Sequence, residues 1–129
     1  MKTLLITILS ITFTGVLMFN FFSQPDETFI NAGKFKEISA TQPGVVIDVR
    51  TSDEYNAGHL KIADLQLDWL KGELNEAMDQ LDKETTYYLY CRSGSRSSQA
   101  IRMLRNNGFK NAFNIGSYNS LINAGLESE

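Results

Sequence analysis

Apolar residues divide the chain into three stretches. Residues 4–22 are apolar and carry no charge, with Lys2 just ahead of them. Residues 24–28 are polar and include Pro25. From Phe29 onward, short continuous apolar runs alternate with helically spaced ones. Val45-Val46-Ile47-Asp48-Val49 and Thr86-Tyr87-Tyr88-Leu89-Tyr90 have the pattern of parallel strands covered on both faces. Phe29-Ile30, Leu65-Gln66-Leu67 and Ala112-Phe113-Asn114 predict shorter strands. Phe35 and Ile38, at i, i+3 spacing, predict a helix over 34–40, and Gln42-Pro43-Gly44 a turn. Thr51 or Ser52 caps a short helix through Tyr55 that Gly58 ends. Trp69, Leu70, Leu74, Met78 and Leu81 fall on one stripe and predict a single amphipathic helix over 69–81. Two more helices are expected over 95–107, closed by Gly108, and over 118–124. This alternation predicts an α/β fold: one domain with a mostly parallel central sheet, helices on both faces, and ligands at the carboxyl ends of the strands.

The first stretch reads as an export segment. It approaches the roughly 20 residues that span a bilayer and is apolar on every face. Cleavage after Ser23 would put Phe21 at the −3 position, where a small residue is needed, which favours an uncleaved anchor over a cleaved signal peptide. The expected organisation is a hydrophobic leader helix over 1–23, a linker over 24–28 and the domain over 29–129. Lys2 should stay in the cytoplasm, so the domain is expected outside it, in the periplasm or on the extracytoplasmic face of the membrane. The 129 residues suffice for one domain, and the net charge of −3 argues against a nucleic-acid partner. The only expected membrane contact is the leader, if it is uncleaved. Cys91 is the only cysteine and His59 the only histidine, so no internal disulfide forms and no zinc site is expected. No cofactor or metal is expected.

The candidate chemistry sits where the Tyr90 strand ends. Cys91-Arg92-Ser93-Gly94-Ser95-Arg96 lies between that strand and the next helix. Inward backbone N–H groups of such a loop, together with a helix N-terminus, hold an anion and lower a thiol pKa. Gly94 permits the tight curl. Ser93 and Ser95 can donate hydroxyl hydrogen bonds, and Arg92 and Arg96 can attract an anionic substrate. Cys91 is therefore a candidate nucleophile.

Three patterns resemble the rhodanese-like domain family. Asp48-Val49-Arg50, Glu54-Tyr55 and Gly58-His59-Leu60 are similar to its D-x-R, E-Y and G-H-[IL] signature. Tyr90 to Ser97 resembles its active-site loop. Gly108-Phe109-Lys110-Asn111-Ala112 and Asn114-Ile115-Gly116 are similar to its closing strand and turn. The resemblance covers residues 29–126. It implies a sulfurtransferase in which Cys91 takes sulfane sulfur from a small anionic donor such as thiosulfate. The resulting persulfide passes that sulfur to a small thiol, a protein acceptor or, in an assay, cyanide. Residues 92–96 would hold the substrate, with Asp48, Arg50, Glu54 and His59 in supporting roles. The chain departs from the pattern after Lys61, where Ile62-Ala63 replaces the usual Gly-Ala and Gln66 stands for asparagine. It departs again after Gly116, where Ser117 replaces a second glycine and Leu121 stands for tryptophan.

Other readings compete with this one. The domain could be a non-catalytic rhodanese-like module for partner binding or redox sensing. A Cys-dependent phosphatase or arsenate reductase is a third possibility, but phosphatases of this type use a longer C-x5-R loop, whereas Arg96 follows Cys91 as C-x4-R. Asp48 and Arg50 read as a buried ion pair beneath the site, with Glu54 joining them. His59 reads as a structural residue bonded to nearby backbone, Arg102 and Arg105 as a solvated helix face, and Tyr87, Tyr88 and Tyr90 as strand packing.

Overall fold

A computed structural model describes residues 27–129. The leader expected over 1–23, with most of the linker, lies outside the described residues. Four strands form one parallel sheet: β1 (Val45–Asp48), β2 (Leu65–Gln66), β3 (Tyr87–Cys91) and β4 (Ala112–Ser117), in the order β2-β1-β3-β4. Phe29 adds one isolated parallel bridge, to Asn114. The helices are α1 (Ala32–Thr41), α2 (Ser52–Asn56), α3 (Glu73–Ala77), α4 (Ser95–Asn106) and α5 (Tyr118–Asn123).

Strand alternation sorts the core into two layers. Val46, Tyr88, Tyr90 and Ile115 point to one face and pack with Phe35 of α1 and Leu121 of α5. Ile47, Val49, Tyr87, Leu89 and Cys91 point to the other, against Leu74 of α3 and Ala100, Ile101 and Leu104 of α4. Each large apolar side chain buried this way contributes about 1.5–3 kcal/mol before entropy is counted. The three strand tyrosines are at most 2% exposed, as expected of packing residues. The two faces also decide the site: Cys91 belongs to the α4 layer, so its sulfur is carried toward the start of that helix.

The single helix expected over 69–81 is not there. Asp68 Oδ1 accepts from the backbone N–H of Leu70 (2.9 Å) and of Lys71 (3.2 Å). This side-chain turn competes with helix formation. Gly72 then takes φ +76 ahead of α3, a left-handed conformation that glycine adopts without strain. A 3-10 turn over Met78–Gln80 follows α3. Leu70 leaves the apolar stripe and is 68% exposed. Arg105 also departs from expectation. Its Nε and Nη2 donate to the Ala112 carbonyl at 3.0 and 2.9 Å, and its guanidinium lies 5.2 Å from the centre of the Phe113 ring. It ties α4 to β4, while Arg102 is exposed as expected. The last strand extends beyond residues 112–114 to Ser117, with an irregularity in its pairing with β3.

Candidate active site

β3 delivers Cys91 to the carboxyl edge of the sheet, and the chain reverses over it. Gly94, at φ +91, closes the turn and becomes the N-cap of α4, whose first helical bond runs from Ser98 N–H to the Gly94 carbonyl at 3.0 Å. The reversal turns donors onto the sulfur. Gly94 N–H donates to Cys91 Sγ at 3.0 Å, and the Ser97 hydroxyl donates to the same sulfur at 3.4 Å. Burial pushes the Cys91 thiol up, but the Ser97 hydroxyl and the backbone N–H groups of Ser97, Ser93 and Gly94 outweigh it. The net shift is downward from the ordinary 9.0. These donors stabilise a thiolate on Cys91.

The inward set is narrower than the whole run of residues 92–96. Ser95 N–H bonds to Ser93 Oγ at 3.4 Å instead of turning to the sulfur. Arg96 is held from outside the loop, its Nη1 and Nη2 donating to the two carboxylate oxygens of Glu54 at 2.7 and 3.0 Å. Thr51 orients Glu54 in turn through a reciprocal cap of α2, its Oγ1 donating to Glu54 Oε1 at 3.1 Å. The Arg96 hydrogen bonds hold the Glu54 carboxyl near 2, against an ordinary 4.5. Glu54 therefore joins the Cys91 loop and not the Asp48–Arg50 pair. Arg92 is exposed at the rim with no hydrogen-bond or ionic partner among the described residues.

Asp48 and Arg50 form a buried ion pair at 2.7 Å. It lies on the opposite face from Cys91, with the guanidinium 4.3 Å from the centre of the Tyr118 ring and 5.5 Å from that of Tyr90. Arg50 also donates to the Gly58 carbonyl at 2.7 Å, which pins the β1–α2 segment to the turn after it. His59 stacks on Tyr55 with ring centres 3.7 Å apart, and its Nδ1 lies 3.1 Å from the Tyr55 carbonyl. Its backbone exchanges two hydrogen bonds with Glu129, and none of its contacts is with the Cys91 loop.

Two residues central to the cradle received no role from the sequence. Ser97 bonds the sulfur directly. Asn114, 5% exposed, accepts from the Ser97 hydroxyl at 2.7 Å and from Gly116 N–H at 2.9 Å, and donates to the Gly94 carbonyl at 3.2 Å. A signal existed for Ser97. Ser97, Ala100, Ile101 and Leu104 share the buried stripe of α4, and Ser97 is its one polar member. Among the described residues no group of three or more His, Cys, Asp or Glu side chains could hold a metal ion. The arrangement offers a nucleophilic sulfur, an anion cradle and two nearby guanidinium groups.

The family model of the rhodanese-like domain matches residues 31–124. The tRNA uridine(34) hydroxylase of Hamiltonella defensa subsp. Acyrthosiphon pisum is 33% identical over 101 residues, which cover 70% of this chain and 28% of that protein. The chain thus spans roughly a quarter of the length of the curated relatives it matches. Among solved structures, the Alr3790 protein from Anabaena sp. superposes with a TM-score of 0.66 at 25% identity, over 78% of this chain and 90% of that one. A human single-domain sulfurtransferase shares the fold, with a TM-score of 0.66 at 21% identity over 74% of this chain and 96% of that one.

Proposed function

The chain belongs to the rhodanese-like domain family, and from that premise we propose that it is a sulfurtransferase working through a Cys91 persulfide. The observation that supports this best is the convergence of Gly94 N–H and the Ser97 hydroxyl on the sulfur of the chain's only cysteine. The Cys91 thiolate attacks the outer sulfur of a donor such as thiosulfate. The donor's S–S bond breaks, sulfite leaves with the electron pair, and Cys91 carries a persulfide anion. An acceptor thiolate, or cyanide, then attacks the outer sulfur. The Sγ–S bond breaks and its electron pair returns to Cys91 as thiolate. Both resting forms are anions, and no general base is needed once the thiol is ionised. Arg92, unpaired at the rim, draws the anionic donor in, and Arg96, fixed by Glu54, orients it. Cys91 is 0% exposed, so the donor must pass the loop that covers it, in which Arg92 and Ser93 are exposed.

The loop length supports sulfur over phosphoryl chemistry, because C-x4-R is tighter than the C-x5-R loop that surrounds a phosphoryl group. Hydroxylation of a tRNA uridine, the activity in the relatives' name, has less support here, because a net charge of −3 does not favour a nucleic-acid partner. From Lys2 and the apolar residues 4–22 we place the sulfur transfer outside the cytoplasm. Thiosulfate treatment should add one sulfur to Cys91, seen by mass and removed by reductant. Thiosulfate-to-cyanide transfer should be lost in Cys91→Ser. Transfer that survives the substitution overturns the mechanism. An unmodified Cys91 that still binds a partner protein supports the non-catalytic module instead.

A further inference from the structure

Beside the Cys91 loop lies a recess of about 210 Å³ lined by Thr51, Ser52, Asp53, Asp68 and Lys71. Thr51 follows β1 and Asp68 follows β2, so both stand on the carboxyl edge of the sheet, the edge that carries Cys91. One shared acceptor joins the recess to the loop: Glu54 Oε1 takes a hydrogen bond from Thr51 Oγ1 at 3.1 Å and another from Arg96 at 2.7 Å. The charges of both Cys91 and Asp68 are felt at Arg96.

Asp68 is the group the cradle does not use. It is 1% exposed, and its Oδ1 is occupied by the backbone N–H groups of Leu70 and Lys71. Its Oδ2 is buried and has no partner among the described residues. A buried carboxylate oxygen without a donor is costly, and a cationic N–H group is the partner that removes most of that cost. The guanidinium that feels the Asp68 charge, that of Arg96, is already taken by Glu54. Lys71 is exposed and makes no ion pair among the described residues. A metal ion is a poor candidate, since no set of three ligating side chains exists among those residues. The recess therefore has an unbonded carboxylate oxygen in Asp68, a second carboxylate in Asp53 and an unpaired cation in Lys71.

We infer that this recess binds the ammonium-and-carboxylate head of the acceptor thiol, making the acceptor an α-amino-acid thiol of the cysteine class. The ammonium takes Asp68 Oδ2 and the carboxylate is drawn to Lys71. This assignment rests on the sulfurtransferase reading and adds to it a division of labour. The anionic donor enters on the Arg92 side, and the zwitterionic acceptor is held on the Asp68 side, with its thiolate attacking the outer sulfur of the persulfide.

The test uses the full chain. S-methylcysteine carries the head but cannot accept sulfur, so its binding is read by amide chemical shifts independently of transfer. Shifts should fall on Asp68, Leu70 and Lys71. Asp68→Asn keeps an acceptor for the Leu70 and Lys71 N–H groups, so the turn survives. It should weaken S-methylcysteine binding about tenfold, near 1.4 kcal/mol. In persulfide discharge, the ratio of KM for cysteine to KM for 2-mercaptoethanol should rise about tenfold in Asp68→Asn and a few-fold in Lys71→Ala. Three results overturn the site: no shifts at those amides, the same shifts with sodium chloride alone, or an unchanged KM ratio in Asp68→Asn. Sulfur uptake by Cys91 without head-group binding sinks the site alone. Head-group binding without sulfur uptake sinks the sulfurtransferase reading and, with it, the acceptor role.

Discussion

Ser97→Ala separates the cradle's effect on Cys91 from that of the strand beneath it. The Ser97 hydroxyl has one proton and three acceptors in reach: Asn114 Oδ1 at 2.7 Å, the Gly94 carbonyl at 3.1 Å and Cys91 Sγ at 3.4 Å. While Cys91 is a thiol, the shortest contact takes the proton. Once Cys91 ionises, the sulfur is the stronger acceptor and the hydroxyl turns to it. A hydrogen bond to a charged group is worth about 1.5–3 kcal/mol. The long sulfur contact and the loss of the Asn114 bond cut the net to about 1–1.5 kcal/mol, or about one pKa unit at 1.36 kcal/mol per unit. The thiolate's ultraviolet absorbance and the rate of alkylation by iodoacetamide, followed against pH, should both show the midpoint rising by about one unit in Ser97→Ala. Below both midpoints the alkylation rate should fall about tenfold. Linkage gives a second readout. The folded pKa of Cys91 lies below its ordinary 9.0. The stabilisation that ionisation gives the fold is therefore complete above 9.0 and lost as pH falls through the folded value. The stability deficit of Ser97→Ala should accordingly be larger in alkali than in acid. An unmoved midpoint, or a deficit that ignores pH, would show that Ser97 only fills space and would refute the cradle argument.

Glu54→Gln removes the carboxylate that fixes Arg96, so KM for thiosulfate should rise several-fold in steady-state assays. The wild-type pair, 17% and 27% exposed at its side chains, should contribute on the order of 1 kcal/mol after discounting for solvent. Because the folded pKa of Glu54 is depressed to about 2, that contribution is present above 4.5 and disappears as pH falls from 4.5 toward 2. Urea denaturation across that window should show a slope absent in Glu54→Gln. Asp48→Ala strands Arg50, which is 4% exposed, and should cost about 3–5 kcal/mol in urea unfolding. Adding Arg50→Met to it should recover much of the loss, and no recovery would show that the pair is needed for more than mutual neutralisation. In Gly94→Ala the new Cβ would meet Gly116 Cα at 3.5 Å, an ordinary contact, so the cost is backbone strain at φ +91, about 1–2 kcal/mol. The persulfide yield should fall while the folded amide spectrum persists, and a full yield would place the curl elsewhere.

The sequence carried the strands and the cysteine loop because both are local. Val46 to Val49 and Thr86 to Tyr90 are buried on both faces, and the nearly continuous apolar runs report that directly. The Thr51 cap and its Glu54 partner three residues on were equally readable, although only Thr51 or Ser52 was proposed as the cap. The helix over 69–81 was misjudged because apolar spacing takes no account of a side chain that bonds the backbone, and Asp68 does so twice. The partner of Arg96 is 42 residues away. A charge pair across that separation depends on β1 and β3 lying side by side, which neither motif alone records. Asn114 was hidden for a similar reason. It stands in an apolar strand, and only the pairing of β4 with β3 shows which face it takes.

That pairing is also what completes the cradle. Leu89 lies opposite Asn114, but Tyr90 lies opposite Gly116, so Ile115 is an extra residue in β4. Leu89 shares the α4 face with Cys91, and its partner Asn114 is thereby turned to the same face. Gly116, at φ +94, absorbs the extra residue and aims its N–H at Asn114 Oδ1, at 2.9 Å. With that oxygen held as an acceptor, the Asn114 amide group faces the Gly94 carbonyl and its oxygen faces Ser97. A regular ladder would pair Ile115 with Tyr90, and the asparagine would lose the Gly116 N–H that fixes which of its two ends is the acceptor. The bulge thus reaches the sulfur through three steps, Gly116 to Asn114, Asn114 to Ser97 and Ser97 to Cys91 Sγ. The shape of β4, a strand that never touches Cys91 Sγ through its own hydrogen bonds, sets which donor the thiolate can call upon.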